Sequence, residues 1–325
     1  MSDKRGIFSL EEFYDLQVSG ESTDIFDVFK YVTLISDNGY FAGGYPSYNP
    51  ESRITRYDYS NDTVSDVSTF GSIGNYNGGT FLRQNQAIGN SSFAYFTGEW
   101  GWYTRVVRYD YTNDTTNATL VGPTSNNIDN GAAVGNLNFG YFCGNSQTAY
   151  SAVERIDYAN DTNTASLRGS LSQGRYYLSG CGNTNYGYLA GGQYGPGSLT
   201  NIDRITFASD NVTATPRGTT WANGMRQHAA SGNANFGYLT GGQPGSTRSF
   251  RIDYANDNVQ ASPKGSMNVE RRDHGQTGSS SFGYAAAGRG PSYPSGMTLT
   301  DRIDYANDTN TASPKGSLPR SVYWL

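Results

Sequence analysis

One paragraph of sequence is written six times in this chain. Its clearest copy reads Arg175-Tyr-Tyr-Leu-Ser-Gly180, then Asn185-Tyr-Gly-Tyr-Leu-Ala-Gly-Gly192, a variable loop, Ile202-Asp-Arg-Ile-Thr-Phe207, and a turn into Thr213-Ala-Thr-Pro-Arg-Gly218. The arginine of the hydrophobic-Asp-Tyr strand recurs at Arg56, Arg108, Arg155, Arg204, Arg251 and Arg302. The tyrosine ahead of the glycine stop recurs at Tyr40, Tyr95, Tyr141, Tyr188, Tyr238 and Tyr284. A period near 50 residues with four short strand-like runs per unit is the mark of propeller blades, each of which needs its neighbours to bury its faces. The expected fold is therefore all-β: a six-bladed propeller over 31–325 behind a short N-terminal segment, 1–30. The blades are expected at about 31–70, 80–122, 128–170, 172–218, 220–265 and 268–316, with 317–325 as a closing strand.

Within a unit the first strand is rich in small residues, as in Ala229-Ala-Ser-Gly-Asn233, and suits the crowded axis of a propeller. The second ends at glycines that permit a sharp exit. The third alternates, so that Arg302 and Asp304 share one face while Ile303 and Tyr305 share the other. An Asn-Asp turn, as in Ala306-Asn-Asp-Thr309, leads into the fourth. The last stretch, Ser317-Leu-Pro-Arg-Ser-Val-Tyr-Trp-Leu325, begins a seventh copy and stops, so residues near 319–325 are expected to join the first blade and close the ring.

Composition agrees with short strands and tight turns: 41 glycines and 26 tyrosines in 325 residues, with 16% charged. Aromatics recurring in register argue against a disordered low-complexity chain. The net charge of −5 and the lack of a basic stripe argue against a nucleic-acid partner. No apolar run reaches the length of a membrane span. The N-terminus lacks the apolar core of a secretory signal, so synthesis in a cytoplasm is expected. Cys143 and Cys181 hold different places in the repeat and read as free thiols.

No catalytic set stands out. His228 and His274 are 46 residues apart, one local repeat step, and are expected to line the channel together; with no third ligand they make no metal site. The Arg-x-Asp pair recurs five times, with Thr206 in place of the acid in unit four, and repetition marks it as scaffold that bridges strands or blades. Asn-Asp-Thr sequences at Asn61, Asn113, Asn160 and Asn307 match the glycosylation sequon but read as turns. Neither a cofactor nor a metal is expected, and the chain is read as a non-enzyme.

Variation concentrates in the loops between second and third strands, which emerge on one propeller face. Their aromatics, Tyr45, Tyr48, Trp100, Trp102, Tyr103, Tyr150, Tyr194 and Tyr293, sit among Ser, Gly and Asn, the composition of a recognition surface. Residues 1–30 differ in kind. Ser9-Leu-Glu-Glu12 matches a helix-capping box ahead of Leu10, Phe13, Tyr14 and Leu16, amid a crowd of acids, and forms a candidate anchor onto another protein.

An arginine, a small-residue strand, an aromatic strand ending in Gly191-Gly192 or Gly241-Gly242, and a hydrophobic-Asp-Tyr strand together resemble the kelch repeat, without its usual fourth-strand tryptophan. The near-identical Arg-Ile-Asp-Tyr-Ala-Asn-Asp copies behind an acidic leader also resemble kelch-type virion structural proteins of marine tailed phages, especially those infecting cyanobacteria. That resemblance implies a virion protein in multiple copies, tail-associated (fibre or baseplate). With it, residues 1–30 are expected to attach the protein to other virion proteins, and the aromatic loop face of the propeller to meet a neighbouring subunit or a host-surface glycan or protein. A carbohydrate-binding lectin-like propeller and a capsid-decorating protein are the alternatives.

Overall fold

The structure is a computed structural model that describes residues 38–44, 52–69, 85–98, 104–146, 151–243, 245–290 and 296–323. These residues form six antiparallel blades in a ring, a six-bladed β-propeller. Blade one contributes β1 (Asn38–Ala42), β2 (Arg53–Asp58) and β3 (Thr63–Thr69), a three-stranded sheet among the described residues. Blade two is β4 (Gln86–Gly89), β5 (Phe93–Thr97), β6 (Val106–Asp110) and β7 (Thr119–Leu120). Blade three is β8 (Ala132–Gly135), β9 (Phe139–Cys143), β10 (Ala152–Asp157) and β11 (Ser166–Ser170).

Blade four is β12 (Ser179–Gly182), β13 (Tyr186–Ala190), a small hairpin of β14 (Gln193–Tyr194) and β15 (Gly197–Ser198), then β16 (Asn201–Thr206) and β17 (Thr215–Thr219). Blade five is β18 (Ala229–Gly232), β19 (Phe236–Thr240), β20 (Ser249–Asp253) and β21 (Ser262–Pro263). Blade six is β22 (Gly275–Gly278), β23 (Phe282–Ala286), β24 (Thr300–Asp304) and β25 (Ser313–Lys315). Strands pair in chain order within each blade. The first strands β4, β8, β12, β18 and β22 neighbour one another around the axis.

The glycines of the second strands let the blades approach. A Cβ on Gly237 would stand 2.4 Å from Cys181 Sγ of blade four and 2.8 Å from the Tyr254 hydroxyl. Nothing larger than hydrogen fits between the aromatic ring of its own blade and the first strand of the preceding one.

One junction is repeated around the whole ring. The third-strand arginine of each blade reaches the aspartate of the next blade's Asn-Asp or Ser-Asp turn. The distances are 2.6 Å for Arg56–Asp114, 2.8 Å for Arg108–Asp161, Arg155–Asp210 and Arg204–Asp257, 2.7 Å for Arg251–Asp308 and 2.9 Å for Arg302–Asp62. The second-strand tyrosine donates to the same carboxylate, at 2.8 to 3.0 Å from Tyr95, Tyr141, Tyr188, Tyr238 and Tyr284. Its ring stacks on the aromatic residue that opens the next blade's turn, with centroids 4.7 Å apart for Tyr188–Tyr254 and 4.5 Å for Tyr238–Tyr305. The last junction closes the circle: Tyr284 stacks on Tyr59 at 4.9 Å, and Asp62 takes Arg302, Lys315 and Tyr284. Charge-assisted bonds to a largely buried carboxylate are the strong kind of hydrogen bond, and here each is doubled by an aromatic pair.

The Arg-x-Asp motif therefore divides its work. The arginine bridges blades, but its partner is not the aspartate two residues on. That aspartate turns back on its own chain: Asp110, Asp157 and Asp253 accept from Thr112, Ala159 and Ala255 N–H and cap a short 3-10 turn. Thr206 makes no such cap, yet its turn forms all the same, and the inter-blade aspartate Asp210 is retained.

The C-terminal tail runs along the seam between blades six and one. Val322 bridges to Met297, in the loop between β23 and β24, so its backbone partner belongs to blade six. Its side chains face the first blade: Leu318 and Val322 pack with Phe41 and Tyr57, and Arg320 reaches Asp66 at 2.7 Å.

Candidate functional site

The linker that enters each of blades four, five and six passes over the start of that blade's own second-to-third-strand loop. Tyr176 pairs with Gln193, Gln243 N–H donates to the Arg226 carbonyl, and Arg272 pairs with Arg289. The variable loops and the entrance to the axis therefore lie on the same face. On that face the backbone makes a belt around the axis: Tyr177 N–H donates to the Asn130 carbonyl at 2.7 Å, Gln227 to Tyr177 at 3.0 Å, and Asp273 to Gln227 at 3.0 Å. Each of these residues stands two positions ahead of its blade's first strand. All four hold positive φ, between 54° and 58°, although none is glycine.

Below the belt lies a cavity of about 190 Å³ whose lining includes Asn130, Tyr177, Gln227 and Asp273 at the mouth, with alanines and glycines of the first strands deeper in. Asn130 is 8% exposed, and its Oδ1 is buried with no hydrogen-bond partner among the described residues; the same holds for Gln227 Oε1. The Asp273 carboxylate lies 3.7 Å from Arg272 Nε and 3.5 Å from Arg289 Nε, so its charge is offset. Burial and the nearby Asp273 and Asp129 carboxylates push the Tyr177 phenol above its ordinary pKa, so it remains a hydrogen-bond donor at neutral pH.

His228 and His274 also border this cavity. They pack against Gly191 and Gly241 of the preceding blades, where blade four places Leu178 against Gly144. His274 Nε2 meets the Thr240 hydroxyl at 3.0 Å, and Thr240 donates to Gln276 Oε1 at 2.7 Å. Neither ring nitrogen of His228 has a hydrogen-bond partner among the described residues, and burial lowers its pKa to about 3, so the ring is neutral. No cluster of three or more metal-ligating side chains occurs among the described residues. Cys143 and Cys181 are buried free thiols, and burial pushes the Cys181 thiol up to about 11.

Of the eight loop aromatics singled out in the sequence, Tyr194 is described. It stands 55% exposed on the β14–β15 hairpin of the loop face. Tyr45, Tyr48, Trp100, Trp102, Tyr103, Tyr150 and Tyr293 lie outside the described residues, as do Leu10, Phe13, Tyr14 and Leu16 of the candidate anchor. The mouth residues Asn130, Tyr177, Gln227 and Asp273 were not legible as a site from single motifs. Their signal is positional: in aligned copies, the residue two places before the small-residue strand is polar or tyrosine in each of these blades. No helix among the described residues is long and apolar enough to cross a membrane.

No protein-family model matches the chain, and no curated protein matches it significantly.

Proposed function

We propose that this propeller is a non-enzymatic attachment module of a phage virion, tail-associated, whose loop face meets a host surface or a neighbouring virion protein. The observation that carries the reading is the way charge is spent. The arginines, aspartates and tyrosines that recur in each blade are engaged in blade-to-blade junctions, which leaves the loop face as the part of the molecule whose chemistry differs from blade to blade. A group repeated at each junction is scaffold; recognition belongs to the surface that varies. Tyr194, more than half exposed on the loop face, is the kind of rigid aromatic that such a surface uses. The resemblance of the Arg-Ile-Asp-Tyr-Ala-Asn-Asp copies to phage virion proteins supplies the setting, and the acidic leader, residues 1–30, supplies the attachment to the particle.

The test is incorporation. Particles assembled with a chain lacking residues 1–28 should lack the protein, while the same truncated chain, purified, keeps its β-rich circular dichroism. Particles that take up the truncated chain as well as the full one refute the anchor. A carbohydrate-binding reading is favoured by the polar mouth of the axis, where a cavity meets amide oxygens that have no hydrogen-bond partner among the described residues.

A further inference from the structure

We infer that the axial mouth on the loop face is a saccharide-binding site that holds one neutral sugar ring through Asn130, Tyr177, Gln227 and Asp273. The inference rests on the attachment reading and names what the face would recognise.

Four facts converge. First, a residue other than glycine in the left-handed region costs on the order of 1–3 kcal/mol and persists where the surroundings over-determine it. Here that conformation occurs at four equivalent positions, each a residue other than glycine. Glycine would adopt it freely, so what is kept at these positions is the side chain.

Second, the backbone belt holds the four in place. The N–H groups of Tyr177, Gln227 and Asp273 donate to the preceding blade's carbonyl, so the main chain that carries the four side chains is fixed. A polar constellation held on rigid elements before its ligand arrives avoids the ordering entropy that a flexible loop would lose.

Third, the chemistry suits hydroxyl groups. Asn130 Oδ1 and Gln227 Oε1 are buried acceptors without partners among the described residues. A buried polar group left unsatisfied is costly and calls for a donor. A sugar hydroxyl is donor and acceptor at once; the planar amides can both donate and accept, and a carboxylate accepts, across vicinal hydroxyls. The charge balance points to a neutral ligand: Asp273 is offset by Arg272 and Arg289, and the other carboxylate nearby, Asp129, takes the Ser146 hydroxyl at 2.7 Å.

Fourth, the size fits. Pockets for drug-sized ligands span roughly 300–1,000 Å³, and this one is about 190 Å³. Its bed is Ala132, Ala133, Ala229 and Ala230, small apolar groups that face the C–H surface of a ring without filling the space. One ring enters, and any remaining glycan extends outward.

The experiment is saturation-transfer NMR and calorimetry on the full chain with glucose, galactose, mannose, fucose and N-acetylglucosamine, with glucuronate and inorganic phosphate as anionic probes. The variants are Gln227→Gly and Asn130→Gly, which fit the left-handed backbone and so preserve the fold, with thermal melting as the check. At least one neutral sugar should bind, and its affinity should fall tenfold or more in each variant, while Tyr194→Ala leaves the monosaccharide affinity within twofold. Binding by none of the neutral sugars, affinity unchanged in both glycine variants, or preference for the anions overturns the inference. Adsorption of the full chain to host cells is measured alongside. Wild-type adsorption equalled by Gln227→Gly refutes the axial site and leaves the attachment reading standing; no wild-type adsorption removes host attachment itself.

Discussion

At the scale of single residues, the histidines expose how a buried position is re-used. His228 fills the place that Leu178 fills one blade earlier, against the glycine that ends the preceding blade's second strand. A leucine there is a plain core residue; an imidazole is buried without a hydrogen-bond partner among the described residues and stays neutral. Its folded pKa of about 3 lies below the ordinary value of about 6.5 that it regains on unfolding. Below about pH 6.5 the unfolded chain takes up a proton that the folded chain refuses, so the stability contribution is intact above that pH and declines as pH falls toward 3. The slope is about 1.4 kcal/mol per pH unit, or about 2 kcal/mol by pH 5. His228→Leu should therefore lose less stability than the wild type between about pH 7 and pH 5, as read from urea midpoints. Equal losses in the two proteins would show that His228 is protonated in the folded state.

At the scale of the strand, the same blade position is solved differently from blade to blade. In blades four and six the linker arginine is fully buried against an acid of the third strand: Arg175–Asp203 at 3.1 Å and Arg271–Asp301 at 2.9 Å, with no exposure on either partner. Arg271 also donates to the carbonyls of Ala285, Ala287 and Leu299. In blade five the corresponding residues are Met225 and Phe250, packed in an apolar cluster. Replacing a buried ion pair by hydrophobic residues is often neutral, whereas removing one member costs about 3–5 kcal/mol because the other is stranded. Arg175→Met alone should thus destabilise by about 3 kcal/mol or more, and Asp203→Phe added to it should restore most of the loss; a double mutant as unstable as the single one would mean that the blades are not interchangeable at this site. The outer strands carry a related device. Pro216, Pro263 and Pro314 stand at the same register of β17, β21 and β25, opposite Asp203, Phe250 and Asp301. A proline on an edge strand removes a donor and blunts edge-to-edge pairing. Blades two and three carry the exposed Leu120 and Leu167 at the matching place.

At the scale of the whole molecule, stability depends on whether the sixth junction equals the other five. Asp62 accepts Arg302 at 2.9 Å, Lys315 at 3.1 Å and Tyr284 at 3.0 Å, across more than 200 residues of chain. It also adopts φ 57°, which asparagine tolerates and alanine does not. Asp62→Asn therefore removes the charge and keeps the turn. Because Asp62 is more exposed than Asp257, its loss should cost somewhat less than that of Asp257→Asn, about 1–2 kcal/mol, and both variants should unfold in one transition measured by circular dichroism. A separate early transition in Asp62→Asn would mean that the ring opens at this seam before the blades unfold.

The repeat and its period determined the fold class, the six blades and the order of strands within each, because a short amphipathic sheet cannot bury itself and identical copies can bury one another. Alternation along the third strand also placed Arg302 and Ile303 on opposite faces. It could not say which carboxylate an arginine meets. Arg204 and Asp257 are one blade apart in sequence, and their pairing is decided by how blades wedge together, while the nearer acids bend back to cap their own turns. The axial mouth is tertiary for the same reason. Asn130, Tyr177, Gln227 and Asp273 carry no shared motif, and they become one polar ring only when four linkers are drawn around one axis by backbone hydrogen bonds that no single copy can make.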